Sequence, residues 1–147
     1  MNVETKTAVN VKQVVPFFRV TNIAESVRYY VGGLGFEMTN QWVVDGKLQW
    51  CWLQYGGAAL MLQEFRHEKN DSSIVAEKLG VGVSICFQCE DALAIYRAVK
   101  ARGIAVSRPF VGNAMWVVSM SDPDGYRIEF QSRTDVPEET ELSEQES

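Results

Sequence analysis

Short apolar segments separated by turn signals indicate strands and one helix in the first half of the chain. A β-branched, apolar segment at residues 12–20 predicts a strand, and Asn22 followed three residues later by Glu25 is typical of a capped helix start. Apolar residues then recur at helical spacing until a glycine-rich stop at residues 32–35. Three more strands are predicted at 36–44, 48–55 and 58–65, with a strong hairpin signal at Asp45-Gly46.

The second half repeats this order of elements. A strand is predicted at 81–89, followed by a helix that ends at Gly103, short strands around 105–107 and 115–120, and a last strand at 126–131. The two halves are offset by about 69 residues, so that Val15 corresponds to Ser84. The sequence therefore predicts an α+β fold of two βαβββ modules, residues 12–65 and 81–133, joined by a polar linker at 66–80.

Composition is that of one intracellular domain. The chain has 147 residues, of which 46% are hydrophobic, enough for one core. It has no apolar run long enough for a membrane span, no signal-like amino terminus and no basic stripe that would favour nucleic acid. Three cysteines, an odd number, suit a reducing compartment. We therefore expect a cytoplasmic protein that binds neither membrane nor nucleic acid.

The net charge of −5 is concentrated at the carboxyl terminus. Six of the 19 acidic residues lie within 134–147, so residues 1–133 carry 13 acids against 14 bases. A segment of Pro, Glu, Ser, Gln and Thr has too little apolar surface to order itself. The sequence thus predicts a flexible start at 1–11, one domain at 12–133 and a disordered acidic tail at 134–147.

Motifs at both ends of the repeat resemble one known superfamily. They are Val20-x-Asn22, Tyr29-Tyr30, Leu34-Gly35-Phe36, the segment 59–64, and Asp122-Pro123-Asp124-Gly125 continuing to Phe130. Together they are similar to the glyoxalase/bleomycin resistance protein/dioxygenase (vicinal oxygen chelate) superfamily, in its bleomycin-resistance-like branch. The resemblance implies a curved eight-stranded cleft with the helices outside, and a homodimer.

The same resemblance locates the positions that hold a metal in the enzymes of the superfamily. Carried over, they fall on Val15, Leu62, Ser84 and Glu129, and of these Glu129 alone is a good ligand. We therefore expect no cofactor. The alternative is a divalent ion (Zn, Ni, Fe or Mn) held by Glu64, His67 and Glu129. That site would serve a lyase, isomerase or dioxygenase in which Glu129 is the catalytic group.

Aromatic and arginine side chains suggest a binding site for a small molecule. Trp50 and Trp52 share one strand face, which is directed either at the cleft, at a helix or at a dimer partner. The candidate ligand-binding residues are Phe17, Arg19, Trp42, Trp50, Trp52, Trp116 and Arg127. Glu129 could equally pair with Arg19 or Arg127 as a structural contact. The favoured hypothesis is metal-free sequestration of a planar or amphipathic molecule, as in antibiotic resistance.

Overall fold

A computed structural model describes residues 10–66 and 79–143. The first module begins with strand β1 (Phe17–Val20) and helix α1 (Ile23–Val27), which widens into π-helical turns over Arg28–Leu34. Three strands follow: β2 (Glu37–Val44), β3 (Lys47–Tyr55) and β4 (Ala58–Glu64). The predicted order of elements is therefore observed, although β1 is shorter than the apolar segment 12–20.

The second module has the same order. Strand β5 (Ser84–Gln88) precedes helix α2 (Ala92–Ala101), and β6 (Phe110–Gly112), β7 (Met115–Ser121) and β8 (Arg127–Arg133) complete it. Each helix is capped by the residue before it, because the Asn22 and Asp91 side chains accept hydrogen bonds from the backbone N–H of Glu25 and Ala94 at 3.1 Å. No helix in the described parts of the chain is long and apolar enough to cross a membrane.

Each module forms a four-stranded mixed sheet. The strand orders are β1-β4-β3-β2 and β5-β8-β7-β6, with the first pair of each sheet parallel and the others antiparallel. Phe18 of β1 is in register with Leu62, and Phe87 of β5 with Phe130. The matching topology of the two sheets confirms the predicted α+β fold of two βαβββ modules.

One hydrophobic core joins the modules. One face of each sheet packs into it, with Val20, Leu62, Ile128 and Phe130 at most 2% exposed. Aromatic rings meet across the boundary, since Phe36 of the first module lies 5.6 Å from Phe87 of the second, edge to face. Burial of this face leaves the opposite face of each sheet open.

The turn at residues 122–125 fastens the second module to the first. Asp122 is buried and accepts a hydrogen bond of 2.7 Å from the Tyr30 hydroxyl group, and Asp124 accepts one of 2.7 Å from the Thr21 hydroxyl group. Burial raises the pKa of Asp122, an effect opposed by its hydrogen bonds from Tyr30 and from the backbone of Tyr126 and Asp124. The turn predicted from Asp-Pro-Asp-Gly is therefore also a contact between modules.

The strand predicted around 105–107 is wrong. The corresponding strand is β6, five residues later, where Val111 is fully buried and pairs with Trp116. Asn113 and Ala114 form the hairpin turn with φ of 58° and 63°, the left-handed region that such turns require. The hairpin fixes the pairing, so residue 107 keeps one hydrogen bond to β7, from its N–H to the Ser119 carbonyl group at 3.0 Å.

The prediction of a disordered tail is wrong for residues 134–143, while 144–147 lie outside the described residues. Leu142 is 2% exposed and packs in the core, and its N–H donates to the Pro109 carbonyl group at 2.9 Å. The Glu138 carboxylate accepts hydrogen bonds from the N–H groups of Asn113 and Ala114 at 2.9 and 2.7 Å. A buried leucine, one carboxylate and backbone hydrogen bonds to Val111 and Ala114 thus anchor a segment whose composition indicates disorder. Most of the predicted linker, residues 67–78, also lies outside the described residues.

Candidate functional site

The open face of the first sheet carries most of the predicted binding residues. Alternation along β1 and β3 buries Phe18, Val20, Cys51 and Leu53, so the residues between them point the other way. We call this surface the aromatic face; its members are Phe17, Arg19, Trp42, Trp50, Trp52, Met61 and Gln63. Of the three alternatives that the sequence leaves open, the helix is excluded, because Trp50 and Trp52 lie on the side away from the core.

Register brings the rings of the aromatic face together. Trp42 of β2 is directly opposite Trp50 of β3, and Trp52 is opposite Met61 of β4. Trp42 is 50% exposed and Phe17 46% exposed, so both rings are available to a ligand. The Arg19 guanidinium lies 5.7 Å from the centre of the Phe17 ring, a cation–π distance. The arrangement offers flat apolar surface beside one cation.

A cavity of about 510 Å³ lies at one end of the aromatic face. It is lined by Trp42 and Gln63 and by charged residues at the ends of β3 and β4, among them Lys47 and Arg66. This volume is within the range of small-molecule sites, roughly 300–1,000 Å³. The cavity therefore combines an exposed indole ring with hydrogen-bonding groups and with charged groups of both signs, since Asp45 and Glu64 also line it.

Glu64 at this end of the sheet has a structural contact. Its carboxylate accepts a hydrogen bond of 3.0 Å from the N–H group of Ile23, the first residue of α1, and lies 3.6 Å from the Lys47 ammonium group. A carboxylate there satisfies a helix N–H that has no partner within the helix. The sequence suggested Glu64 as a ligand of an alternative metal site. Its contacts with Ile23 and Lys47 do not favour that role.

The open face of the second sheet is polar along β5 and β8, whereas Phe110 and Val117 of β6 and β7 are apolar residues on the same side. We call it the polar face; its members are Ser84, Cys86, Gln88, Arg127, Glu129 and Gln131. Glu129 lies opposite Cys86 and accepts hydrogen bonds from Arg127 at 3.4 Å and from Gln131 at 3.2 Å. Of the two predicted roles of Arg127, the structure shows the pairing with Glu129. Burial raises the pKa of the Cys86 thiol group.

Two predicted positions lie on the wrong side of their sheets. Leu62, carried over as a cleft position, is fully buried because its register partner Phe18 faces the core. Trp116 pairs with buried Ser132 and packs against the core, apart from the other three tryptophans. In both cases a shift of one residue in the strand pairing would move the side chain to the other face of the sheet.

The residues present do not fit the metal site of the superfamily's enzymes. Val15 and Leu62 have no donor atoms, and Glu129 is engaged by Arg127 and Gln131. In the described ranges 10–66 and 79–143, no three His, Cys, Asp or Glu side chains come close enough to share an ion. His67 lies outside the described residues. Glu64 and Glu129 belong to different sheets. Glu64 is on the core side of the first sheet, in register with Val20, whereas Glu129 is on the open side of the second.

Sequence reasoning missed the glutamine side chains on both open faces. Gln63 lines the 510 Å³ cavity, Gln54 accepts a 2.8 Å hydrogen bond from the Trp52 indole N–H, and Gln131 contacts Glu129. The spacing of two residues between Trp52 and Gln54, and between Glu129 and Gln131, was the signal available. A correct prediction of the pairing of β4 with β3 would also have placed Gln63 beside Trp50 on the open face.

Comparison with solved structures shows the same fold in several proteins. A hypothetical protein, SA1046, from S. aureus is 21% identical, with 86% of this chain and 98% of that chain covered and a TM-score of 0.64. TnmS3, an antibiotic binding protein from Streptomyces sp. CB03234, is 20% identical, with 86% and 100% covered and a TM-score of 0.64. A bleomycin-binding protein solved with bleomycin is 19% identical, with 85% and 99% covered and a TM-score of 0.61.

At these identities the likeness shows the fold alone, and no curated protein sequence matches the chain. The family itself rests on a model of the Glyoxalase/Bleomycin resistance protein/Dioxygenase superfamily, which matches residues 11–130. That range begins before β1 and ends in β8, so it includes both modules. The chain belongs to the Glyoxalase/Bleomycin resistance protein/Dioxygenase superfamily.

Proposed function

We propose that the protein sequesters a planar or amphipathic small molecule on its aromatic face without a metal ion. The observation that carries this proposal is the exposure of Trp42 and Phe17 beside Trp50, Trp52 and the Arg19 cation. Large aromatic side chains left in water cost free energy, which a stacked planar ligand recovers. The antibiotic binding by TnmS3 and the bleomycin-binding protein supports the same class of function.

The donor set favours binding over metal chemistry. Glu129 has its carboxylate held by Arg127 and Gln131, and its cross-strand neighbour Cys86 has a raised thiol pKa. A metal ligand of the usual kind would need these groups deprotonated, unpaired and joined by further donors. We therefore propose that the polar face orients a ligand by hydrogen bonds.

A second copy of the chain completes the site in this proposal. The aromatic face is apolar with one cation, whereas the polar face offers the Glu129 carboxylate and three amide or thiol groups, at Cys86, Gln88 and Gln131. Pairing the aromatic face of one protomer with the polar face of its partner would enclose a ligand with one apolar and one polar side. Size-exclusion chromatography with light scattering tests this homodimer, and a monomer at binding-assay concentration contradicts it.

Tryptophan fluorescence tests the binding site directly. A panel of planar natural products and antibiotics is titrated into the protein, and a ligand on the aromatic face is expected to quench emission with a saturating curve. Trp42→Ala should weaken the binding at least tenfold, because it removes an exposed stacking surface worth about 1.5 kcal/mol. Trp116→Phe is the matched control, since Trp116 packs on the core side. Equal losses in the two variants would contradict the proposal.

A further inference from the structure

A second pocket, of about 380 Å³, lies between the two modules and away from the aromatic face. The β3–β4 turn of the first module forms one wall, with Tyr55 and Ala58, and the second module supplies Phe87, Ile95 and Phe130. The lining is mostly apolar and aromatic, as is usual for a small-molecule site. None of these residues belongs to the aromatic face, so this pocket, here called the side pocket, is separate from that face. It shares one lining residue, Gln88, with the polar face.

The internal repeat gives the side pocket an equivalent place beside Phe18 of β1, where the phenol ring of Tyr126 fills the space. Tyr126 stacks on Phe18 with ring centres 4.1 Å apart and planes 1° from parallel. Its hydroxyl group donates a hydrogen bond of 2.8 Å to the Arg19 carbonyl group. Burial is the main cause of the raised pKa of Tyr126, so the hydroxyl stays protonated and acts as a donor.

The internal repeat relates the side pocket to this phenol site. Phe87 follows Phe18 by 69 residues, and its register partner Phe130 follows Leu62 by 68. By the same offsets, Gln88 corresponds to Arg19, and Ala58 corresponds to Tyr126. The side pocket therefore lies next to Ala58, whose methyl group takes the place that the phenol ring of Tyr126 has in the second module.

The turn that contains Gly56 and Gly57 lines the side pocket and borders open space. A Cβ atom added at either glycine would meet no heavy atom within 4 Å, which shows open space on that side. The Tyr55 ring lies edge-on to Phe36 at 5.1 Å and 6.1 Å from Phe130. It forms a wall of the pocket.

We propose that the side pocket binds a small molecule with a para-substituted phenol group. The ring packs against Phe87 as Tyr126 packs against Phe18, and the phenol hydroxyl donates to the backbone carbonyl group of Gln88 as Tyr126 does to Arg19. The para substituent extends out of the pocket into the open space beside Gly56 and Gly57. This inference is independent of the ligand of the aromatic face, so either can fail alone.

A nuclear magnetic resonance titration with p-cresol tests the inference on the full chain. We expect saturable shifts at the amide groups of Gly56, Gly57 and Gln88, and nuclear Overhauser effects between the cresol ring and Phe87. Toluene, which lacks the hydroxyl group, should bind about fivefold more weakly, the equivalent of one net hydrogen bond of about 1 kcal/mol.

Two variants locate the bound phenol. Ala58→Tyr places a ring on the chain as in the second module and should abolish cresol binding. Ser143→Ala, at an exposed position outside both sites, should leave it unchanged. The Overhauser contacts in the unaltered protein decide the matter if Ala58→Tyr does not fold. The inference is overturned by shifts that do not saturate, by contacts to tryptophan rings instead of Phe87, by equal affinity for toluene, or by undiminished binding to folded Ala58→Tyr.

Discussion

The Tyr30 hydroxyl group donates a hydrogen bond of 2.7 Å to Asp122 across the boundary between the two modules. Both residues are buried, and the same carboxyl group also accepts backbone hydrogen bonds at 2.9 Å from Asp124 and Tyr126. A buried carboxylate requires several donors to offset the loss of water. The contact thus links the helix of one module to the β7–β8 turn of the other.

Tyr30→Phe should lower the free energy of unfolding by about 1.5–3 kcal/mol, because it removes a donor to a charged, buried group. Tyr29→Phe is the matched control. Its hydroxyl oxygen is buried and has no hydrogen-bond partner among the residues that the structure describes. Urea denaturation measures both variants, and similar losses in the two would show that the Tyr30 contact contributes no specific stability.

Leu142→Ala should destabilise the protein by about 2–5 kcal/mol, the usual cost of truncating a buried leucine side chain. Leu142 is 2% exposed and packs in the shared core although it follows the last strand. Ser143→Ala, at the exposed next position, should change stability by less than about 0.5 kcal/mol. A Leu142→Ala variant as stable as the Ser143→Ala control would mean that the segment is not part of the core.

Acid should release the segment around Glu138 from the β6–β7 turn. Hydrogen bonds from the backbone of Ala114 and Asn113 lower the pKa of the Glu138 carboxyl group. A lowered pKa in the folded state means that the stabilisation is present above the ordinary glutamate pKa and is lost as the pH falls through the lowered value. The amide shifts of Asn113 and Ala114 should therefore titrate below the range of a free glutamate. In Glu138→Gln this transition should be absent; its persistence would assign it to another group.

Arg19→Ala should weaken binding of anionic planar ligands about tenfold while leaving neutral ones within about twofold, as expected for the loss of one charge-assisted hydrogen bond. Arg19 is exposed on the aromatic face beside Phe17. Arg97→Ala removes an equal charge from the exposed surface of α2 and serves as the control. If both variants lose affinity equally, the effect is one of overall charge and not of the site.

The sequence predicted the two modules well because turn signals and helix caps are local. Asn22, Asp91 and the Asp122–Gly125 turn act within a few residues, and the structure has each where the pattern indicates. The alternation of β3 similarly placed Trp50 and Trp52 on one face. Whether that face is buried in the core or open depends on how strands distant in the sequence pack, and the alternation within β3 does not contain this information.

The errors concern long-range register and single anchoring contacts. Leu62 and Trp116 were misplaced because pairing with β1 and β8 decides their faces, and a strand pattern does not contain that pairing. The segment 134–143 was misjudged because its composition is polar. Its order depends on contacts with distant residues: the packing of Leu142 in the core, the Glu138 carboxylate accepting from two N–H groups, and backbone hydrogen bonds to the β6–β7 hairpin. Tertiary contacts outweighed composition there.

The central claim is that the aromatic face binds its ligand without a metal ion. Calorimetric titration with the tightest ligand of the fluorescence panel tests it, before and after exhaustive chelation and with added Ni²⁺ or Zn²⁺. We predict the same Kd and one ligand per site under all conditions, with no stoichiometric metal in elemental analysis. Binding that disappears on chelation and returns with the ion would contradict the account.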